Sequence, residues 1–285
     1  MLDLLSRQER FAVVGSTNDV VRGWLADGTP EVCLAIADEQ TAGRGREGRT
    51  WTAPAGAALL LSLGFRPTWL PPERAWRLAA TVSLAMADAA EEVAGLADGA
   101  IRLKWPNDLV AETVGVAIPM APRAPTEVRK LAGVLGETDG LGTPDPRVVI
   151  GLGLNTDWAA ADFPPDLAES MTSLREASGG RPIDHVALLD AFLGRLEARI
   201  EALRGGRFDV GDWVARQLTT GRDVDLTDVA GTVRTVRALG VDAVTGALVV
   251  ADPDAPDGER QVVVGEIRRV RLAARAEAPG PAPTT

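Results

Sequence analysis

Gln40-Thr41-Ala42-Gly43-Arg44-Gly45-Arg46-Glu47-Gly48-Arg49-Thr50-Trp51 lies between two apolar runs, 32–37 and 57–65. Short apolar runs bounded in this way read as buried strands, which makes the polar stretch between them a loop hung from a sheet. A loop carried by core strands is a favoured place for a site. Its glycines let the backbone approach a ligand closely, and its arginines supply planar forks of donors for carboxylate or phosphate oxygens. The spacing is neither that of a P-loop nor that of the dinucleotide-binding fingerprint. Taken alone, the stretch fits a solvated basic turn or, less well, an RNA-binding Arg-Gly segment.

Working outward, Ser16-Thr17-Asn18-Asp19 offers N-cap residues to a helix carrying Val20, Val21, Trp24 and Leu25, with Gly28 placed to end it. Pro71-Pro72-Glu73 opens an alanine-rich helix predicted to reach Val93, and a short strand at 101–104 follows. Two further central strands are predicted at 131–137 and 148–152. Asp184 caps a helix whose Leu189, Phe192, Leu193, Leu196, Ile200 and Leu203 keep helical spacing up to Gly205-Gly206, the pattern of a core stripe. Beyond Trp213, strands predicted at 223–226, 231–239, 247–251 and 261–264 alternate with Gly, Asp and Pro turns, as in a small all-β domain. The end, 276–285, is alanine, proline and threonine and is expected to be disordered.

A chain of 285 residues, 46% hydrophobic and 25% charged, can bury one full core and a second, smaller one. No apolar run approaches bilayer thickness, and Asp3, Arg7, Glu9 and Arg10 stand where a signal peptide would be apolar, so a cytoplasmic location without membrane association is expected. The net charge of −10 works against nucleic acid as a partner. Cys33 is the only cysteine, which excludes an intramolecular disulfide and a cysteine-based zinc site. His185 is the only histidine, so a Ser-His or Cys-His hydrolase would have to draw its base from a helix start.

Three more clusters carry chemistry. Lys104-Trp105-Pro106-Asn107-Asp108 groups an ammonium, an amide and a carboxylate beside a proline turn, a set able to hold a metal-nucleotide. Lys130-Leu131-Ala132-Gly133-Val134-Leu135-Gly136-Glu137 puts a lysine at the mouth of an apolar strand, and Gly151-Leu152-Gly153-Leu154-Asn155 ends another strand with an amide. Each alone also suits an ordinary strand-to-turn connection.

Together and in this order, Gly15-Ser16-Thr17-Asn18, the 40–51 stretch, 104–109, 130–136 and 151–155 resemble the signature blocks of biotin protein ligases. Met171-Thr172-Ser173-Leu174 and Gly265-Glu266-Ile267 resemble further stretches of that family. The resemblance spans roughly residues 14–272. It implies an α+β fold: a mixed, largely antiparallel sheet with flanking helices, class II synthetase-like, followed by a small SH3-like β-barrel domain. The boundaries expected are 1–216 for the catalytic biotin- and ATP-binding domain, 217–274 for the β domain and 275–285 for a disordered tail. The implied activity is ATP-dependent formation of biotinyl-5'-AMP and transfer of biotin to a lysine of a biotin carboxyl carrier domain of acetyl-CoA or a related carboxylase, with Mg²⁺.

By the same resemblance, Ser16, Thr17, Asn18, Gln40, Gly43, Arg44, Gly45, Arg46 and Lys130 bind biotin. Arg44, Arg46, Arg49, Trp51, Lys104, Asn107 and Asn155 face ATP, Asp108 and Asn155 face the metal, and Lys130, Arg46 and Lys104 carry catalysis. The segment 158–180 adds a loop near the adenine. Family members that regulate transcription carry an N-terminal helix-turn-helix, for which the residues before Phe11 leave no room, so no DNA-binding domain is expected; a homodimer is consistent with the family. The stretch 109–129, with Pro119, Pro122 and Pro125, is longer than the family's link and is expected to be a projecting loop. Lipoate and octanoate ligases are the nearest alternative, although their Arg-Arg-x-Ser-Gly-Gly pattern is absent. A non-catalytic RNA-binding module is the alternative from another class.

Overall fold

Residues 4–114 and 126–271 are described from a computed structural model of the chain. In order they form β1 (Arg7–Val14), α1 (Thr17–Ala26), β2 (Cys33–Gln40), β3 (Ala58–Phe65), α2 (Trp76–Ala94), β4 (Ile101–Lys104), β5 (Asp108–Val114), β6 (Thr126–Asp139) and β7 (Arg147–Asn155). Then come α3 (Pro165–Ala168), α4 (Leu174–Ala177), α5 (His185–Arg204) and α6 (Val210–Ala215), followed by β8 (Arg222–Thr227), β9 (Val233–Val241), β10 (Leu248–Ala251), β11 (Glu259–Val262) and β12 (Glu266–Arg271).

The first seven strands make one sheet in the order β1-β2-β3-β7-β6-β5-β4. β1 and β2 run parallel and the remaining pairs are antiparallel. Alternation along the strands sends Leu34, Ile36, Leu61, Leu63, Leu152 and Leu154 to one face, where α2 and α5 cover them. The alanines of α2 let it lie close to its neighbours, and Gly95, with φ 60°, turns the chain off its end. At the start of α5, Asp184 accepts hydrogen bonds from the N–H groups of Val186 and Ala187 at 2.9 and 3.0 Å, as its N-cap position predicts.

The opposite face of the same strands is barer. There α1 packs Val21 and Leu25 against Cys33, Ala35 and Val149. Burial pushes the Cys33 thiol up to about 11, which fits an inert core cysteine. Beside α1, the glycines at 133, 151 and 153 leave the sheet without side chains, and Gly133 sits directly across from Gly153. A Cβ at Gly151 would come within 2.2 Å of Asn18 Oδ1, and one at Gly153 within 2.6 Å of the Trp51 ring. The glycine strip on which Asn18 and Trp51 sit, the groove described below, is therefore a consequence of where glycine falls in the alternation.

The last five strands form a second, antiparallel sheet, β11-β10-β9-β8-β12. Its core of Val224, Leu226, Ala238, Leu248, Val250, Val262 and Ile267 also takes in Trp105 from the turn after β4. The indole N–H of Trp105 donates to Gly246 O at 3.1 Å. β4 is also tied by backbone to the segment that leads into the second sheet: Leu103 N–H donates to Arg216 O and Leu218 N–H to Leu103 O, both at 2.8 Å. Buried Arg216 donates to Glu91, Asp88 and Asp212 around this joint. Burial opposes its charge, yet the hydrogen bond to Glu91 and the surrounding carboxylates hold its pKa above the ordinary value.

Three strands differ from expectation. β1 and β12 are rich in charged residues, and the expected loop at 109–129 is strand at both its ends, with Leu109, Val110 and Ala111 buried in β5 and its partner β6 starting at Thr126. The residues at its centre and the 276–285 tail lie outside the described residues. Among those described, no helix is long and apolar enough to cross a membrane.

Candidate active site

At the α1 end of the groove the polar groups satisfy one another. Gln40 Oε1 accepts from the Thr17 N–H at 2.8 Å and from the Thr17 hydroxyl at 3.0 Å. Ser62 Oγ lies 2.7 Å from Thr17 Oγ1 and 2.6 Å from Asn18 Oδ1. Asn18 Nδ2 in turn donates to Glu137 Oε2 at 2.9 Å. Ser16, Thr17, Asn18 and Ser62 are all buried. Ser16 occupies the N-cap position of α1, but its hydroxyl makes no capping bond.

The other end is cationic. Lys130 Nζ sits 2.7 Å from Asp108 Oδ1 and 5.5 Å from the centre of the Trp51 ring, while Lys104 Nζ sits 3.4 Å from Asp108 Oδ2. The backbone around Met171 pairs with the start of this region: Lys130 N–H donates to Ser170 O, and Thr172 N–H to Lys130 O. Thr172 O also accepts from Asn155 Nδ2 at 3.0 Å. Asn155 Oδ1 is buried without a hydrogen-bond partner, as is Trp51 Nε1. Such orphaned groups are rare in a finished core, and at a glycine-lined face a water, an ion or a ligand can supply the missing partner.

Between the two ends runs the glycine-rich loop. Gly43 O accepts from Trp51 N–H at 3.0 Å, and a Cβ at Gly43 would lie 2.4 Å from Trp51 O, so glycine is required at this closure. Gly45 N–H donates to Arg49 O across the tip, and Glu47 adopts φ 57° there. Arg44 is already engaged by Asp19 and Glu137, and Arg49 by Glu266 of the second sheet at 2.8 Å. The Asn107 amide is committed too, donating to Val134 O at 2.8 Å and holding the turn against β6. Ser16, Thr17, Asn18 and Gln40 gather at one end, and Lys104, Asp108, Lys130 and Trp51 at the other. Sequence reasoning missed Asp19, Ser62, Glu137 and Glu266. Ser62 gave a signal as the one hydroxyl inside a leucine run, and Glu137 as the charged end of a strand block.

A profile of the biotin/lipoate A/B protein ligase family matches residues 11–155. The biotin--[acetyl-CoA-carboxylase] ligase of Mycobacterium tuberculosis is 33% identical over 236 residues, covering 80% of this chain and 79% of the relative. The chain belongs to the biotin/lipoate A/B protein ligase family. The bifunctional ligase/repressor BirA of Bacillus subtilis is 30% identical over 187 residues, 66% of this chain and 51% of that protein, so the chain spans about half of that relative's length. The ligase fold is that of the Aquifex aeolicus biotin protein ligase in complex with biotin and ATP, with a TM-score of 0.70 at 22% identity over 95% of this chain and 99% of the other. The Leishmania major biotin protein ligase with biotinyl-5-AMP gives 0.53 at 25% identity, over 92% and 99%.

Proposed function

We infer that this ligase activates biotin with ATP to biotinyl-5'-AMP and passes the biotinyl group to a lysine of a carboxyl carrier domain. The observation that supports biotin as the acid is the hydrogen-bonded chain Gln40–Thr17–Ser62–Asn18. A ureido head brings both N–H donors and a carbonyl acceptor, which can exchange hydrogen bonds with such a network, whereas the disulfide ring of lipoate or the chain of octanoate offers it no polar partner. The named biotin ligase relatives point the same way. The RNA-binding alternative is disfavoured because Arg44 and Arg49 are already paired with carboxylates.

In the first step the biotin carboxylate oxygen attacks the α-phosphorus and pyrophosphate leaves. Two anions must meet, so Lys130, Lys104 and Arg46 would neutralise them along the groove, with Trp51 beside the nucleotide. In the second step the carrier amine attacks the acyl carbon, the bond to AMP breaks and AMP departs. No protein nucleophile is required.

Mg²⁺ would arrive with the nucleotide. Asn155 Oδ1, buried and unpartnered, suits an oxygen ligand, and Asp108 would add a carboxylate on giving up one of its two ammonium groups. Magnesium generally takes only one or two protein ligands and completes its shell with phosphates and water, where it screens charge. Among the described residues no cluster of three acidic, histidine or cysteine side chains forms a metal site unaided. We further propose residues 1–216 as the catalytic unit and 217–274 as the β unit, working in the cytoplasm.

The test is incubation with ATP, Mg²⁺ and biotin, lipoate or octanoate, with mass detection of the acyl-adenylate and an EDTA control. Biotinyl-adenylate is expected; adenylate from lipoate or octanoate instead would move the assignment to the other branch of the family.

A further inference from the structure

The arginines of the glycine-rich loop are not equivalent. Arg44 meets Asp19 of α1 with both guanidinium ends, Nη1 to Oδ2 at 2.7 Å and Nη2 to Oδ1 at 2.8 Å, and Nη2 also lies 3.4 Å from Glu137 Oε1 of β6. Arg22, one turn along α1, bridges the same two carboxylates at 2.5 Å each. The hydrogen bond from Arg44 holds the Asp19 carboxyl below the usual carboxylate range. Arg49 pairs with Glu266 and Glu47. Arg46 forms no ion pair among the described residues. A guanidinium whose fork is filled by carboxylates has few donors left for an anionic ligand.

We infer that Arg44 is a tether, and that Asp19 and Glu137 are positioning residues which clasp the root of the loop to α1 and β6 so that Arg46 alone is presented to the ligand. This rests on the reading of the groove as a biotin-activating site and assigns residues that the reading did not include. The backbone supports the clasp: Thr41 N–H donates to Val14 O, Ala42 N–H to Gly15 O, and Arg44 pairs with Thr50 where the arms of the loop separate. The Arg44 side chain pins that point. With the root fixed, only the tip has to order when the ligand arrives, which lowers the entropic cost of closure. Glu137 also holds Asn18, so one carboxylate joins the loop to the polar end of the groove.

The experiment compares the parent with Asp19→Asn, Arg44→Gln, the double variant and Asp19→Glu. Because these pairs are about half exposed, each single removal is expected to raise biotin KM and the dissociation rate of biotinyl-adenylate about fivefold, with kcat for adenylate formation within about twofold. The double variant should be no worse than either single variant, and Asp19→Glu should recover part of the loss. Multiplying effects in the double variant, or a kcat loss confined to Arg44→Gln, would overturn the clasp, since Arg44 would then touch the ligand itself. A second readout needs no ligand: trypsin should cut after Arg46 and Arg49 about fivefold faster in Asp19→Asn than in the parent, and equal rates would also overturn the clasp. A parent that shows this cleavage difference yet makes no adenylate from biotin would refute the substrate reading and leave the clasp standing.

Discussion

At the α1 end of the groove, buried Thr17, Asn18 and Ser62 and half-buried Gln40 are neutral and linked by hydrogen bonds; at the other end, two ammonium groups share the single carboxylate of Asp108 and Asn155 keeps an oxygen without a partner. The first arrangement is complete before any ligand arrives and can only be matched. The second is held in provisional pairs that an incoming phosphate or cation can replace. On the proposed function, recognition and chemistry would be separated along one strip of sheet, the rigid end selecting the acid and the exchangeable end stabilising developing charge.

The sharpest way to break this contrast is at Lys130. Replacing it with alanine removes a charge-assisted contact from the reacting end, at a cost of about 3 kcal/mol, and adenylate formation is expected to slow about a hundredfold. Single-turnover rates that match the parent would mean that the cationic end does no chemistry. Arg46 tests retention instead. Arg46→Gly is expected to form biotinyl-adenylate but to release it roughly thirtyfold faster, the equivalent of about 2 kcal/mol, and to label lysines of a bystander protein. Dissociation of preformed adenylate, followed together with bystander labelling, settles whether Arg46 is the latch.

The rigid end is probed by Gly151→Ala. The new methyl would collide with Asn18, and an overpacking cost of about 1–3 kcal/mol should appear as roughly tenfold in biotin KM with kcat little changed. If KM holds and kcat falls, the division between the two ends is wrong. Smallest is Trp105→Phe, which keeps the ring in the second core and loses the bond to Gly246 O. Denaturant titration should show a loss of about 1 kcal/mol, and no change would mean that the bond contributes nothing.

Much of this was legible beforehand. The helix of Asp184, the glycine stop at Gly205 and the leucine runs of β2 and β3 follow from local rules, and the ordered signature blocks placed Thr17, Gln40, Lys104 and Lys130 near their eventual neighbours. What escaped depends on partners distant in sequence. β1 reads Arg-Gln-Glu-Arg-Phe, a pattern with little apolar periodicity, and becomes a strand because β2 offers it an edge. Glu137 looks like the solvated end of a strand until α1 and the loop deliver Asn18, Arg22 and Arg44 to it. The signature blocks suggested that Arg44 and Asn107 face the ligand; the fold also gives Arg44 partners in Asp19 and Glu137 and Asn107 one in Val134 O, and spacing carries no information about those bonds.

The seat of Trp105 has a consequence for the making of the protein. Its indole is enclosed partly by Ile267, and β12 is the last strand to leave the ribosome among those described. Domains generally fold in order of synthesis. Here the turn that bears Lys104 and Asp108 stays unfinished until the far end of the chain emerges and folds back beside β8. A chain cut before Ile267 would therefore hold every signature block up to Asn155 while its Trp105 core lacked one wall, and the turn beside it is expected to be less stable.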